Sequence, residues 1–416
     1  MTTRRVLAAT AALTLAAPLA ACGSDEGGPP VLNFYNSPVQ NMQSVVDRCN
    51  TEAAGKYQIS YQVLPRTADD QRVQMVRRLA AKDDSMDILG MDVTWTQEFA
   101  SANWIRELTG DLKSEVESRT LQPAVASAQY NGKLYAAPNN TNVQLLWYRK
   151  DLVPTPPKTW AEMIQMSQQL KAEGKPYQVM TMGAQYEGLV VFFNSLVASA
   201  GGHVVDDAGK KAVMDQGTVT ALQTMKTFAT AGVTSPSFSN AIEDDVRRAF
   251  QDGGGAFELN WPYVWASMQE DAPDLAAKVG WARYPAIDAN TPSQTTIGGS
   301  EQAVSAYSKH PDLAFEAIKC LRGPESQLYL AVNSGQAPSI ESVYDDPSMA
   351  KAYPMKETLL EELKTSAPRP RTPAYQNVST VVAAELSPPS AIDPQQTAET
   401  LKSSIQDAID SKGVLP

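Results

Sequence analysis

The feature that most constrains the fold is an alternation of strand and helix patterns near the start of the chain. Val31–Asn36 and Met86–Met91 are short apolar runs typical of buried strands, and Ile59–Leu64 alternates apolar and polar residues. Apolar residues at helical spacing lie between them, over Val39–Thr51 and in a second helix that we expect Asp69 to cap. This order predicts a parallel sheet with helices on both faces, where ligands bind beyond the carboxyl ends of the strands.

The strand pattern Val143–Tyr148 precedes a helix-rich middle third of the chain. Sheet patterns return after it at Gly255–Asn260 and in a pattern that includes Gln302–Val304. The chain without an export signal has about 395 residues, more than one hydrophobic core normally covers. We therefore expect two domains.

The first 22 residues have the pattern of an export signal that ends in a lipidation site. Two arginines and an apolar stretch come first, and the small pair Ala20–Ala21 precedes Cys22. We expect residues 1–21 to be removed and residues 22–30 to form a lipidated tether on the outer face of the cytoplasmic membrane. The apolar stretch is shorter than the roughly 20 residues of a spanning helix. An ordinary cleaved signal that ends in cysteine is the alternative.

Charge and histidine content exclude several classes of function. A formal net charge of -11 opposes nucleic-acid binding, which depends on clustered Lys and Arg. The histidines, His203 and His310, lie far apart with no nearby cysteine, so a histidine-based metal site or catalytic triad has little to build on. We expect no metal, no cofactor and no nucleic-acid partner.

Two cysteines remain once Cys22 is assigned to lipidation. Outside the cytoplasm, Cys49 and Cys320 form an isolated pair, which favours a disulfide. Two buried free thiols are the alternative. A bridge would require the first domain to be built from two separated segments.

A carboxylate and an aromatic ring follow the third predicted strand. Asp92 leaves the strand end, and Trp95 follows three residues later. A carboxylate accepts two hydroxyl hydrogen bonds and a ring packs on an apolar C–H face, so the pair suits a sugar. A helix-capping aspartate beside a core tryptophan explains the pair equally well. Similarly, the polar run Asn139–Asn142 suits a ligand, although a turn is the commoner explanation.

A second aromatic cluster, Trp261, Tyr263 and Trp265, follows the strand that ends at Asn260. Exposed rings would bind a sugar, whereas buried rings would pack between domains. Glu243 could supply another carboxylate, although the helix dipole also favours acidic residues in a first turn.

Backbone access and an arginine between two prolines complete the candidates. Gly298–Gly299 lie between strands, where the missing side chains let a ligand approach backbone N–H groups. Arg369 stands between Pro368 and Pro370 and could contact vicinal hydroxyls or a carboxylate of the site. Gly253–Gly255 lacks the ending of a phosphate-binding loop and reads as a turn.

Together these segments resemble the substrate-binding lipoproteins of ABC sugar importers, in the maltose- and trehalose-binding class. Within that class they resemble the mycobacterial trehalose-binding members most. The resemblance covers essentially the whole chain after the signal. Several matching motifs are long and contiguous, so the resemblance is specific. They are Leu64–Arg66, Gln71–Arg72, Met91–Trp95, Leu134–Pro138, Thr141–Arg149, Glu187–Val191, Asn260–Pro262, Thr296–Gly299, and Arg369 with Thr372–Pro373.

The resemblance implies an α/β, two-lobed periplasmic-binding-protein-like fold (type II, cluster D), in which each lobe is a sheet flanked by helices and a hinge joins the lobes. Lobe 1 would take residues 31–142 and 282–338, and lobe 2 residues 143–281 and 339–416. The family's paired cysteines match Cys49 and Cys320. By the same resemblance the substrate-binding positions are Asn36, Gln71, Asp92, Asn142, Glu243, Trp261, Gly299 and Arg369.

Two departures bear on specificity. Many maltose-type relatives carry an aspartate where Asn142 stands, whereas the mycobacterial members fit this asparagine. The segment between Asp271 and Arg283 looks shorter than in those members, so the rim of the site and its limit on ligand size could differ.

The implied function is that of a monomeric binding protein and not of an enzyme. It would capture trehalose or a related disaccharide between its lobes and deliver it to the permease subunits of an ABC importer, whose ATPase is a separate chain. Maltose or a glycerophosphodiester is the alternative ligand. An exported glycosidase, with Asp92 and Glu243 as its two carboxylates, is the alternative from another class.

Overall fold

Residues 28–412 are described in the computed structural model of this chain. The predicted signal peptide, Cys22 and most of the predicted tether lie outside this part. The described strands are β1 (Val31–Asn36), β2 (Gln58–Val63), β3 (Ile88–Asp92), β4 (Gln129–Tyr130), β5 (Lys133–Leu134), β6 (Ala137–Asn142), β7 (Leu145–Arg149), β8 (Gln178–Met180), β9 (Gly255–Asn260), β10 (Val279–Ala282) and β11 (Gly298–Val304).

Helices cover most of the remaining described chain. They are α1 (Met42–Glu52), α2 (Ala68–Ala80), α3 (Thr96–Ser101), α4 (Gly110–Arg119), α5 (Gln122–Ser127), α6 (Trp160–Ala172), α7 (Glu187–Ser199), α8 (Gln216–Thr230), α9 (Glu243–Gln251), α10 (Tyr263–Asp271), α11 (Pro273–Ala276), α12 (Pro311–Leu321), α13 (Pro324–Ser334), α14 (Pro347–Ala352), α15 (Lys356–Thr365), α16 (Tyr375–Glu385) and α17 (Pro394–Ile409).

The first sheet has five strands in the order β2-β1-β3-β11-β6 and forms the centre of lobe 1. β1 is parallel to β2 and β3, which confirms the predicted parallel start. β11 runs antiparallel to β3 and β6, so the carboxyl ends of those two strands and the beginning of β11 lie at one edge. Asp92, Asn142 and Gly298 are neighbours along that edge.

The second sheet, the centre of lobe 2, has four strands in the order β10-β7-β9-β8. Only Val143 and Gln144 separate β6 from β7, so the chain passes directly from one sheet to the other. Leu145 pairs with Asn260, which places the carboxyl end of β9 at the edge of the second sheet where β7 begins. The carboxyl ends of β3, β6 and β9 therefore lie near the connection between β6 and β7, where the chain passes from one sheet to the other.

Hydrophobic packing follows from the alternation of side chains along buried strands. In β7, Leu146 and Tyr148 pack into a cluster with α6, α7, α8, α16 and α17, whereas Leu145 and Trp147 pack on the opposite face with α9, α10, α14 and α15. A separate cluster surrounds the first sheet. Each sheet is thus covered by its own core.

A disulfide joins Cys49 on α1 to Cys320 on α12, with Cα atoms 5.8 Å apart and a sequence separation of 271. This confirms the predicted bridge. Lobe 1 contains strands and helices that come before the lobe 2 strands in sequence and others that come after them. A bridge between such distant positions requires this arrangement. The exact lobe boundaries remain predictions.

Three local predictions were wrong. Thr67, and not Asp69, caps α2, because its side chain accepts a hydrogen bond from the Asp70 amide at 3.3 Å. Apolar residues at helical spacing predicted α2, but one of them, Val73, is 39 % exposed and does not lie on a buried face. The polar run Asn139–Asn142 is not a turn but the end of β6, where pairing with β11 satisfies its backbone.

Candidate functional site

A cleft of about 470 Å³ lies between the two lobes. The carboxyl ends of β3 and β6 and the beginning of β11 line it from lobe 1. The first residue of α9 and the segment after β9 line it from lobe 2. Seven of the eight residues predicted from the resemblance line this cleft: Gln71, Asp92, Asn142, Glu243, Trp261, Gly299 and Arg369.

Asn36 is the predicted site residue that the structure does not bring to the cleft. It is 2 % exposed and its amide donates to the Ser37 carbonyl at 3.2 Å. Its side chain covers Gly90, where an added Cβ atom would lie only 1.9 Å from Asn36 Oδ1. In this structure Asn36 fills space beside the sheet.

Asp92 is held by donors from two directions. Its Oδ1 atom accepts hydrogen bonds from the amide and hydroxyl of Thr94 at 3.0 and 2.7 Å. Arg369 Nη2 donates to the same oxygen at 3.0 Å. None of the hydrogen bonds among the described residues uses Asp92 Oδ2, which leaves that oxygen available to accept from a bound hydroxyl.

Arg369 also contacts Glu187, which lies in one of the matching motifs but was not predicted as a site residue. Its Nη1 atom lies 2.5 Å from Glu187 Oε1, at the first residue of α7. Burial raises the pKa of Glu187, whereas the Arg369 charge and the hydroxyls of Ser379 and Tyr375 oppose that rise. A lone acidic residue before the apolar run of α7 was the available signal.

Burial acts against the charge of Arg369, but neighbouring acids outweigh it. The guanidinium is only 3 % exposed. Burial lowers its pKa, while the carboxylates of Asp92 and Glu187 raise it to a net value above the usual range. Arg369 is therefore a permanent cation between two carboxylates, one at the end of β3 and one at the start of α7.

Glu243 forms the corresponding acidic wall of lobe 2. It is the first residue of α9, and its Oε2 atom accepts a hydrogen bond from the Tyr186 hydroxyl at 2.6 Å. Burial raises the pKa of Glu243, and the hydrogen bond from Tyr186 opposes this. The pKa of Tyr186 is itself raised by burial and by the nearby Glu243 charge, so the phenol stays a donor.

The aromatic candidates after the third strand and after β9 differ in where their rings lie. Trp95 is 3 % exposed and stacks on Phe99 with ring centroids 6.1 Å apart, so the core-tryptophan alternative is correct for it. Trp265 is likewise buried, at 6.4 Å from the ring of Trp147. Only Trp261, with Tyr263 beside it, reaches the cleft.

Two glycines allow the lobes to approach closely. A Cβ atom added to Gly298 would lie 2.7 Å from Asn142 Oδ1 and 2.8 Å from the Trp261 ring. Gly299 has a φ of 137° and an added Cβ atom would meet the Asn140 carbonyl at 2.4 Å. Residues with side chains rarely adopt such a φ. The indole of lobe 2 therefore packs over glycine backbone of lobe 1.

Neutral hydrogen-bonding groups complete the cleft. Gln71 is 8 % exposed and its amide nitrogen donates to the Pro65 carbonyl at 2.8 Å. No described residue donates to its Oε1 atom. With carboxylates, amides and one indole, the cleft can donate to and accept from several hydroxyls at once.

The described residues show neither of two other features. Within residues 28–412, no group of three or more His, Cys, Asp or Glu side chains is placed to hold a metal ion. Among the helices of that part, none combines the length and apolar character needed to cross a membrane.

Comparisons with known proteins agree with this architecture. The family described as bacterial extracellular solute-binding protein matches residues 37–328. A probable ABC transporter-binding protein of Deinococcus radiodurans is 31% identical over 324 residues, which cover 74% of this chain and 75% of the relative.

Solved structures match almost the entire chain. The maltose-bound MalE3 protein of T. maritima is 30% identical, with a TM-score of 0.80 over 92% of this chain and 99% of its own. The GacH receptor of Streptomyces glaucescens, solved unliganded and with acarbose, has the same TM-score of 0.80 at 20% identity, over 92% and 100% of the two chains. The chain therefore belongs to the bacterial extracellular solute-binding proteins and has a two-lobed fold like that of the maltose-binding proteins.

Proposed function

We propose that this protein captures trehalose, or a closely related disaccharide, between its lobes and delivers it to an ABC importer. The observation that carries the proposal is the composition of the cleft. One indole, Trp261, faces a wall of carboxylates and amides that comes from both lobes. Trp261 would stack on a glucose ring, Asp92 and Glu243 would accept from hydroxyls, and Asn142 would donate.

The buried charges of the cleft support a neutral ligand, whereas two further arginines of its lining, Arg66 and Arg248, are exposed. Its buried cation, Arg369, is already paired with Asp92 and Glu187 at 3.0 and 2.5 Å. A phosphate would have to compete with these carboxylates and would lie close to Glu243 as well. A glycerophosphodiester is therefore disfavoured relative to a disaccharide.

Selectivity would come from closure of the lobes around the sugar. A hinged two-lobe protein buries polar groups on both sides of its ligand when it closes. A wrong epimer would leave a buried donor or acceptor unpaired, at a cost of about 1 to 3 kcal/mol for each group. The relatives support this class of ligand, since the T. maritima protein holds maltose and the D. radiodurans relative is described as ABC transporter-binding.

A thermal-shift screen of the protein without its signal tests the proposal. Trehalose, maltose, sucrose and glycerophosphocholine would be compared, because a ligand at 100 times its Kd stabilises the fold by about 2.7 kcal/mol. We expect trehalose to give the largest shift. A shift with glycerophosphocholine alone, or with none of the disaccharides, contradicts the proposal.

The same sample separates a binding protein from a glycosidase. After prolonged incubation with trehalose, an assay for free glucose should detect none above the protein-free control. Release of glucose that depends on both Asp92 and Glu243 would instead favour the hydrolase, which needs two carboxylates.

We also propose that Cys22 carries the lipid that keeps this receptor at the outer face of the membrane. A tethered receptor meets its importer at a raised effective concentration. In cells, the wild-type protein should partition into the detergent phase of Triton X-114, and Cys22→Ala should move it to the aqueous phase. Equal partitioning of the two would refute lipidation.

A further inference from the structure

Behind the cleft wall of lobe 2, one buried amide holds two of the cleft residues. Asn260, at the end of β9, is 0 % exposed. Its Oδ1 atom accepts from the Trp261 amide at 2.9 Å, and its Nδ2 atom donates to the Glu243 carbonyl at 3.2 Å. One side chain thus joins the backbone that carries the indole to the first residue of α9.

The same nitrogen donates to a second acceptor, Glu258 Oε1, at 2.8 Å. The Asn260 amide therefore has two acceptors on its nitrogen side and one donor, the Trp261 N–H, on its oxygen side. A flipped amide would place oxygen against both acceptors and nitrogen against the donor. Glu258 adds to the penalty for that flip and so helps to define one orientation of Asn260.

The apolar neighbours of Glu258 do not explain why a carboxyl group occupies this buried position. It is 0 % exposed in the middle of β9, where its neighbours across the sheet are Trp147 and Met180. Its Oε2 atom has no hydrogen-bond partner among the described residues. A buried carboxyl is costly, and its single hydrogen bond leads to Asn260.

Few charged groups face this carboxyl. Arg247 approaches from α9 and Tyr263 from α10, whereas β7 and β8 present Trp147 and Met180. Burial raises the pKa of Glu258 to about 7, although the hydrogen bond from Asn260 and the charge of Arg247 oppose the rise. An ionised acceptor forms a hydrogen bond roughly twice as strong as a neutral one.

We propose that Glu258 is a positioning residue for the sugar site: through Asn260 it sets the relative placement of Trp261 and Glu243, and with it the affinity for a disaccharide. The second part of this inference, the effect of Glu258 on disaccharide affinity, rests on the proposed function. The first half, control of the indole position, does not depend on any ligand.

The ligand-free half is tested by ¹⁹F NMR on the signal-free protein labelled with 5-fluorotryptophan. The Trp261 resonance is assigned by its absence from Trp261→Phe. We expect that resonance to titrate between about pH 5.5 and about pH 8.5 in the wild type and to titrate less in Glu258→Gln. Any change that remains in the variant comes from Glu243, whose pKa is also raised by burial and whose side chain contacts Trp261. The matched control is Glu362→Gln, another buried carboxyl of lobe 2, paired with Arg283 at 2.7 Å. It should leave the titration unchanged.

The second half is tested by calorimetry with trehalose across the same pH range. Glu258→Met leaves no acceptor at this position and should weaken binding by about tenfold, close to the value of one hydrogen bond. Glu258→Gln retains a neutral acceptor, so it should bind within about threefold of the wild type and lose the pH dependence of affinity.

The outcomes are distinguishable. A Trp261 resonance that titrates identically in Glu258→Gln overturns the positioning role, whatever the protein binds. Wild-type affinity in a folded Glu258→Met variant overturns the link to affinity. A normal NMR titration with no binding of any disaccharide by the wild type would instead overturn the proposed function and leave control of the indole intact.

Discussion

The Arg369 guanidinium lies 3.0 Å from Asp92 Oδ1, so the proline-flanked segment Pro368–Pro370 contacts the carboxyl end of β3. Glu187, at the start of α7, contacts the other side of the same guanidinium at 2.5 Å. A buried cation between two carboxylates is fully satisfied only when both are in place. This relationship connects the two lobes through side chains that also line the cleft.

Removing the Asp92 carboxylate should abolish trehalose binding. Asp92→Ala deletes the acceptor of lobe 1 and leaves Arg369 with Glu187 alone. Isothermal calorimetry should detect no heat of binding, while circular dichroism remains that of a folded protein. The control is Asp84→Ala, an exposed residue paired with Lys309. Near-native affinity in Asp92→Ala would refute the assignment.

The Trp261 ring should matter for affinity more than for folding. It is partly exposed in the cleft, so its loss opens little of the core. Trp261→Ala should reduce trehalose affinity by at least about tenfold, since aromatic stacking contributes about 0.5 to 1.5 kcal/mol beyond the buried area. Trp261→Phe keeps a ring and should retain part of the affinity. Equal affinities for the two variants would argue against stacking.

A single methyl group at Gly298 should disturb the site from the lobe 1 side. The added Cβ atom would lie 2.8 Å from the Trp261 ring and 2.7 Å from Asn142 Oδ1, so both would have to move. We expect Gly298→Ala to weaken trehalose binding in calorimetry. The control is Gly254→Ala, where the first contact is the flexible end of Met180 at 3.2 Å. If both variants bind alike, the crowding at Gly298 does not shape the site.

Removal of the disulfide should lower stability without removing the sugar site. The bridge joins Cys49 and Cys320 at a sequence separation of 271, and neither cysteine lines the cleft. Replacing both cysteines by serine should lower the free energy of unfolding by about 2 to 4 kcal/mol in denaturant titrations. Trehalose affinity of the folded variant should be unchanged. Unchanged stability would mean that the bridge does not constrain the unfolded chain.

A buried acid in lobe 1 should make the fold less stable as pH rises. Burial raises the pKa of Glu301 from 4.5 to about 8, against hydrogen bonds from Ser127 and Thr96. Between these values the folded state keeps a proton that the unfolded state has lost. The free energy of unfolding should therefore fall with pH, by up to about 1.4 kcal/mol per unit.

Denaturant unfolding at several pH values checks this sign. Glu301→Gln cannot ionise, so its stability should depend less on pH between about 5 and about 8 than that of the wild type. Glu316→Gln, at an exposed pair with Lys56, serves as the control and should behave as the wild type does. An equal decline in Glu301→Gln and the wild type would show that the carboxyl is already ionised in the folded state over this range.

Local patterns were sufficient for most elements. Period-two alternation and short apolar runs located β1, β2 and β3 within a few residues, because the pattern of burial along a strand is visible in the strand itself. The Asn131-Gly132 pair is a local hairpin signal of the same kind, and it joins β4 to β5 with both residues at a positive φ, 48° and 73°. Such features depend on neighbours in sequence.

The site depended on contacts that no local pattern contains. Trp95 and Trp261 each follow a strand with similar polar neighbours, yet one is core and the other faces the cleft. The difference is decided by what packs on each ring. Similarly, Glu187 becomes part of the site only because Arg369, 182 residues later, comes back to meet it.

The sequence by itself determined the class of fold, the strand and helix order at its start, a favoured pairing of Cys49 with Cys320 and, through family resemblance, seven residues that line one cleft. Only the tertiary structure decided that Asn36 lies outside the cleft lining, that Asn139–Asn142 extend a strand, that Glu187 meets Arg369, and that Glu258 contacts Asn260. The physical reason is the range of the interactions involved. Propensity and periodicity act over a few residues, whereas a buried charge or amide is defined by partners that only the folded chain brings within hydrogen-bond distance.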